Sequence, residues 1–394
     1  MKKSTAILLA LVALVFGLSV SGTLTGAEKE TVKSEYVGSA KCMACHKIPY
    51  DSWKLTYHSK MVRSKADGIL KDAVEKWKTD GYNEGPTKGN VTGKAAGIDD
   101  VRLVLGSKWK QRYLVKNELS GGYQFLDKQF NRISGRWENY GQKNDWDSMC
   151  VTCHTTGYRL TQYDPGNPKA QKGEFSELNI GCESCHGPGT RHITSKSKKD
   201  IWNFAGKTKE EQSRVCGYCH IRLDNHKYKS AQGNDREDFP APKVGQSFMP
   251  SDDWRKWYPD SVVIPGVHAS RPFNAEYKGD LKGLFIVDAL SKANGVYEEA
   301  KHHQEYQGFI QSKHYRTAGM GCMDCHSPHA TNTMARKDPQ KVCVQCHDAS
   351  YTHTRYMPGT GKTADNLFVR SHTFVKDQKR PNLPTYKGEP EYYK

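Results

Sequence analysis

Apolar residues in this chain fall into three kinds of pattern, and each predicts a different element. Residues 6–20, AILLALVALVFGLSV, form an unbroken apolar run behind Lys2 and Lys3 and ahead of the small residues SGTLTGA. The run is shorter than the ~20 residues a bilayer-spanning helix needs, so residues 1–27 read as a signal peptide that directs export. Along 109–130, WKQRYLVKNELSGGYQFLDKQF, Tyr, Leu, Val and Phe recur at alternating positions around Ser-Gly-Gly. That spacing predicts a β-hairpin, placed within an insertion over about 90–145. The stretches from His46 to His58 and over 286–318 read as helical, the second with a break at Asn294-Gly295. Residues 236–300, rich at first in Pro, Gly, Asp and Lys, read as a linker running into the start of that helix, and the tail after 358 as a surface strap. The expectation is a mainly α fold with long loops and a small β-hairpin insertion.

Composition alters this picture. Only 36% of the 394 residues are hydrophobic and the mean hydropathy is −0.79, too little apolar side chain for an ordinary core of this length. The cysteines supply the explanation. All 12 lie in Cys-x-x-Cys-His units: Cys42, Cys45 and His46; Cys150, Cys153 and His154; Cys182, Cys185 and His186; Cys216, Cys219 and His220; Cys322, Cys325 and His326; Cys343, Cys346 and His347. A zinc ribbon or a disulfide framework has no need of histidine directly after each second cysteine. A c-type haem does, because two thioethers fix the porphyrin and the following imidazole binds its iron. Six covalently bound c-type haems are therefore expected, with much of the interior built from porphyrin.

Charge changes meaning in turn. The formal +16 falls to about +14 without Lys2 and Lys3, and about twelve haem propionate charges would bring it near +2. The basic composition is thus no argument for nucleic-acid or membrane partners.

Ten further histidines remain: His58, His192, His226, His268, His302, His303, His314, His329, His353 and His372. Two imidazole nitrogens on one iron lie about 4 Å apart, whereas twelve helical residues carry the chain about 18 Å. His58 is therefore unable to curl back onto the iron of His46 and is expected to reach a neighbouring one. Most irons are expected to be capped on both faces, the property of an electron carrier.

CMACHKIPYDSWKLTYH, CVTCHTTGY, GCESCHGPGTRH and RVCGYCH, in that order over residues 36–225, resemble the tetrahaem cytochrome c family of the hydroxylamine-oxidation pathway. The resemblance implies His58 opposite His186, His192 opposite His46, His302 or His303 opposite His220, and an open iron on His154. Residues 302–329, HHQEYQGFIQSKHYRTAGMGCMDCHSPH, are similar to the pentahaem nitrite reductase and octahaem hydroxylamine oxidoreductase superfamily. That similarity implies distal roles for His314 and His329, then His353 and His372, and leaves His226 and His268 without a special role. The reductases' Cys-x-x-Cys-Lys motif is absent from the sequence.

The expected architecture is that of a multihaem cytochrome c: a four-haem domain over 28–235 and a two-haem domain over 301–394. The expected function is electron transfer between redox partners, such as other cytochromes and quinol-linked or terminal reductase complexes. The alternative is an oxidoreductase turning over hydroxylamine, nitric oxide, nitrite or a sulfur compound on an open iron at His154. Periplasm, outer surface and exterior stay open as destinations, as does assembly into oligomers or filaments.

Overall fold

The computed structural model describes residues 35–80, 96–106, 109–118, 120–140, 146–162, 172–223, 244–257, 284–329, 339–363 and 366–376. The signal peptide expected over 1–27, His226 and His268 lie outside the described residues. The described residues from Tyr36 onwards form one unit.

The alternating stretch does form a hairpin, but within a larger sheet than its pattern announces. Strands β1 (Val62–Ser64), β2 (Leu103–Leu105), β3 (Lys110–Lys116), β4 (Tyr123–Asn131) and β5 (Arg136–Asn139) make a five-stranded antiparallel sheet in sequence order. Gly106 turns the chain from β2 into β3 with φ +93°, and a Cβ there would lie 2.4 Å from the Lys110 carbonyl. Alternation sends successive side chains to opposite faces, and both faces are covered. Val104, Tyr113, Val115 and Leu126 meet Ala73 and Trp77 of the helix Lys71–Thr79. Trp137 joins that cluster, donating its indole N–H to the Ala73 carbonyl at 2.9 Å. Leu103, Leu105, Leu114 and Phe125 face the other way, onto Trp146, Cys150 and Val151. The sheet is thus the wall behind the second cysteine motif.

Elsewhere the helices are short, four to nine residues, and three two-stranded sheets lie among them. The expectation of a mainly α chain is corrected to this mixture. Brief helical turns present one motif each, so none needs the length that gives a long amphipathic period. The predicted break at Asn294-Gly295 is present: the helix Ala289–Asn294 ends at Gly295 with φ +64°, and helices Glu305–Gln311 and Lys313–Arg316 follow.

One buried acid gives the sheet side a pH dependence. Asp147 accepts from the Ser120 hydroxyl and from the Tyr123 N–H at 3.3 Å, yet burial pushes it up to about 6. A folded-state value above that of the unfolded chain means the fold binds this proton more tightly, so stability is greatest with Asp147 protonated and falls as pH rises from about 4 to 6. Asp147→Asn is expected to flatten that slope and to exceed the parent at pH 7 by about 1–3 kcal/mol, measured as denaturant midpoints at pH 5 and 7.5.

Candidate functional site

The six motif histidines are presented by six local turns of chain. His46 and His186 end short helical turns at Cys42 and Cys182, their N–H groups or those of the next residue bonding back to Cys42 and Glu183. Gly187, with φ +73°, then turns the chain away from the helix Cys182–His186. His154 closes the turn Val151–His154 behind the sheet. The helix Lys209–Gly217 leads into His220, capped by Thr208 and Glu211 in a reciprocal box. His326 and His347 bond back to Cys322 and Cys343 at 2.9 and 3.0 Å.

Each motif histidine faces one further imidazole at nearly the same separation. Ring centroids are 6.1 Å apart for His46 and His192, 6.3 Å for His154 and His303, and 6.1 Å for His186 and His329. They are 6.2 Å apart for His220 and His58, 6.0 Å for His326 and His372, and 5.8 Å for His347 and His314. Direct stacking would bring rings closer. Two Fe–N bonds of about 2.0 Å plus the half-width of each ring give about 6 Å, so the residues fit an iron between each pair. The planes fall into two groups. Those of His46–His192, His186–His329 and His326–His372 lie at 19°, 18° and 30°. Those of His154–His303, His220–His58 and His347–His314 lie at 79°, 71° and 81°.

The expected partnership of His46 and His192 matches this geometry. The helix expected from His46 to His58 spans only Lys47–Lys54, and the His58 ring beyond it faces His220 and not His186, which faces His329. Of the adjacent pair, His303 turns to His154, and its φ of +61° is a left-handed conformation that a non-glycine residue adopts only when its surroundings impose it. The face of His154 expected to be open therefore carries an imidazole. The His302 ring lies beside that of His303 at 4.7 Å and is held by Arg222, 3.0 Å from its Nε2 and 3.1 Å from its carbonyl oxygen. His353 lines the same cavity, but the ring facing His347 is that of His314.

That cavity, about 2370 Å³, is lined by His58, His154, His220, His303, His314, His326, His347 and His372. Burial pushes His58, His154 and His372 down to about 4 and also lowers His303, His186, His314 and His329. Neutral imidazole with a free nitrogen lone pair is the metal-binding form. His220 goes the other way: burial lowers it, but Glu305 beside it more than compensates.

None of the twelve cysteines is disulfide-bonded to another, and several have neighbours from other motifs. Cys42 lies within hydrogen-bond reach of Cys182, Cys153 of Cys219, and Cys216 of Cys322. Cys185 lies within electrostatic range of Cys216 and Cys219, and Cys325 of Cys343 and Cys346. The attachment points thus run from motif 1 through 3, 4 and 5 to 6, with motif 2 beside motif 4.

A clamp that sequence reading passed over joins motifs 1 and 3. The buried carboxylate of Glu183, inside the CESCH turn, accepts from the N–H groups of Val37 at 2.9 Å, Gly38 at 2.7 Å and Gly189 at 2.7 Å. Burial raises its pKa while these donors oppose the rise. Ser39 Oγ completes the joint, accepting from the Cys182 N–H at 2.9 Å and donating to Glu177 at 2.5 Å. The acid within the motif was the available signal.

Comparison with known proteins gives two family matches. Residues 117–187 match the family of cytochrome c554 and c-prime, and residues 314–351 match the doubled CXXCH motif. The chain is 24% identical over 299 residues to the cytochrome c nitrite reductase subunit NrfA of Nitratidesulfovibrio vulgaris, covering 68% of this chain and 53% of that protein. It is 24% identical over 224 residues to cytochrome c-554 of Nitrosomonas europaea, covering 53% of this chain and 68% of that one. The chain thus spans about half the length of the first relative. Among solved structures, the outer cell wall cytochrome OcwA superposes with a TM-score of 0.52 at 20% identity, over 82% of this chain and 70% of that one. Among the described residues no helix is long and apolar enough to cross a membrane.

Proposed function

The chain is a multihaem c-type cytochrome with covalently attached haem, and we propose that it holds six haems and carries electrons between redox proteins. One observation carries the reading: every Cys-x-x-Cys-His histidine has a second imidazole about 6 Å away, the His154 pair included. Bound haem supplies one-electron chemistry. The chain's residues supply the rest: twelve thiols for attachment, His46, His154, His186, His220, His326 and His347 as proximal ligands, and His192, His303, His329, His58, His372 and His314 opposite them. Two imidazoles per iron leave no position for substrate, which counts against turnover of nitrite, hydroxylamine or a sulfur compound at His154. The contiguous order of thiols from motif 1 to motif 6 supports conduction along the molecule, with motif 2 as a side branch. Export fits both the N-terminal apolar run and the attachment chemistry, and the partners are redox proteins met through weak, charge-guided contacts.

Mass measurement of the mature protein together with electron paramagnetic resonance tests this. Six haem adducts and only low-spin ferric signals are expected. Parallel imidazole planes split the iron dxz and dyz orbitals strongly, while perpendicular planes leave them nearly degenerate and the signal highly anisotropic. The two groups of plane angles should therefore give two classes of three irons. A high-spin signal in the intact protein, or carbon monoxide binding to the reduced form, would overturn the closed-iron reading.

A further inference from the structure

Glu305 is partly buried, its side chain 25% exposed, and has no part in attaching or ligating haem. Its Oε2 lies 3.1 Å from Nδ1 of His220. With Nε2 on iron, Nδ1 carries the imidazole's remaining proton and donates it, so a carboxylate there places negative charge on the ligand itself. Other ligand-pair imidazoles are treated differently. Nδ1 of His186, His192 and His372 lies 3.0, 2.9 and 3.0 Å from the backbone carbonyls of Trp202, Ser197 and Arg370. Those are neutral acceptors. Glu305 also sits within electrostatic range of His303 and His372, so one partly buried carboxylate adjoins ligands of motifs 4, 2 and 5. Motif 4 is where the side branch joins, since Cys219 adjoins Cys153 and Cys216 adjoins Cys322.

We propose that Glu305 is a positioning residue that makes the iron held by His220 and His58 the most reluctant to accept an electron among those whose ligands it acts on, setting an uphill step for the electron at the junction of the branch with the main line. The inference rests on the six-pair reading above. A partly buried anion stabilises the ferric, more positive state, and the hydrogen bond makes His220 the more strongly donating ligand.

Glu305→Gln keeps shape and an acceptor oxygen but removes the charge. Potentiometric titration followed by paramagnetic resonance should show the His220 iron becoming easier to reduce by at least tenfold in its equilibrium constant, 59 mV for a one-electron couple. The irons of His154 and His326 should move the same way by less, and those of His46, His186 and His347 should stay. Glu305→Asp, which keeps the charge, should remain near the parent. Equal positive shifts in both variants would overturn the argument from charge. Should the glutamine variant fail to assemble, the unmodified protein still decides. The signal abolished by His58→Ala identifies the iron, and it should disappear on reduction only after those of the His154–His303 and His326–His372 pairs, the other two whose ligands Glu305 acts on. Earlier loss, or a glutamine variant with six low-spin irons and unmoved potentials, would overturn the role of Glu305 while leaving the electron-carrier reading intact. Fewer than six haems, or a high-spin iron in the parent, would instead overturn that reading.

Discussion

His303→Ala is expected to convert one of six low-spin irons to high spin and to give the reduced protein a single site for carbon monoxide, while His302→Ala leaves all six unchanged. The two residues are adjacent, so the contrast separates ligation from general disturbance. His303 faces His154 at 6.3 Å, whereas His302 is engaged by Arg222 through both ring and carbonyl. Loss of the His302 ring removes one acceptor from the buried Arg222, a cost of about 1–3 kcal/mol, and no ligand. Loss of the His303 ring would leave the position opposite His154 without its second imidazole. Optical spectra of the ferric proteins and carbon monoxide titration of the reduced ones measure both outcomes. A low-spin His303→Ala protein, or a high-spin His302→Ala protein, would reverse the assignment.

The second large effect concerns Glu183. Glu183→Ala strands three N–H groups, the buried one of Gly189 and the half-buried ones of Val37 and Gly38. Each bond to a charged acceptor is worth about 1.5–3 kcal/mol, and water entering the gap recovers part of it. A net loss of about 3–5 kcal/mol is expected, in line with breaking other buried charged clusters. Glu183→Gln, able to accept from one or two of the donors, should lose less than half as much. Guanidinium unfolding of the haem-loaded proteins measures this. Because the clamp holds motif 1 against motif 3, the resonance signals of the His46–His192 and His186–His329 pairs should broaden first. Loss spread evenly over all six irons would show that Glu183 acts on overall stability alone.

The attachment chemistry was legible in the sequence because it is local: two thiols and an imidazole must lie within five residues to grip one porphyrin edge. The reach of His58 was legible in part, since the helix Lys47–Lys54 begins carrying the chain away from His46. Its destination was not. His58 and His220 are 162 residues apart, and no periodicity records a pairing made through tertiary packing. The choice between His302 and His303 hangs on one left-handed residue and one arginine, neither visible in spacing. The hairpin announced itself through alternating apolar residues, but β1 and β2 are three residues each, too short to show a period. Their place in the sheet comes from pairing Val62 with Leu105 and Leu103 with Leu114.

The facing pairs also impose a timetable on biogenesis. A ribosome delivers His46 long before His192, His154 before His303, His186 before His329, and His326 before His372, so four sites begin with the second imidazole of the pair still missing. Only His220 and His347 find their counterparts, His58 and His314, already made. A polypeptide interrupted anywhere between residues 46 and 372 would lack the second imidazole of at least one pair, so His372 is the last residue that the six pairs require.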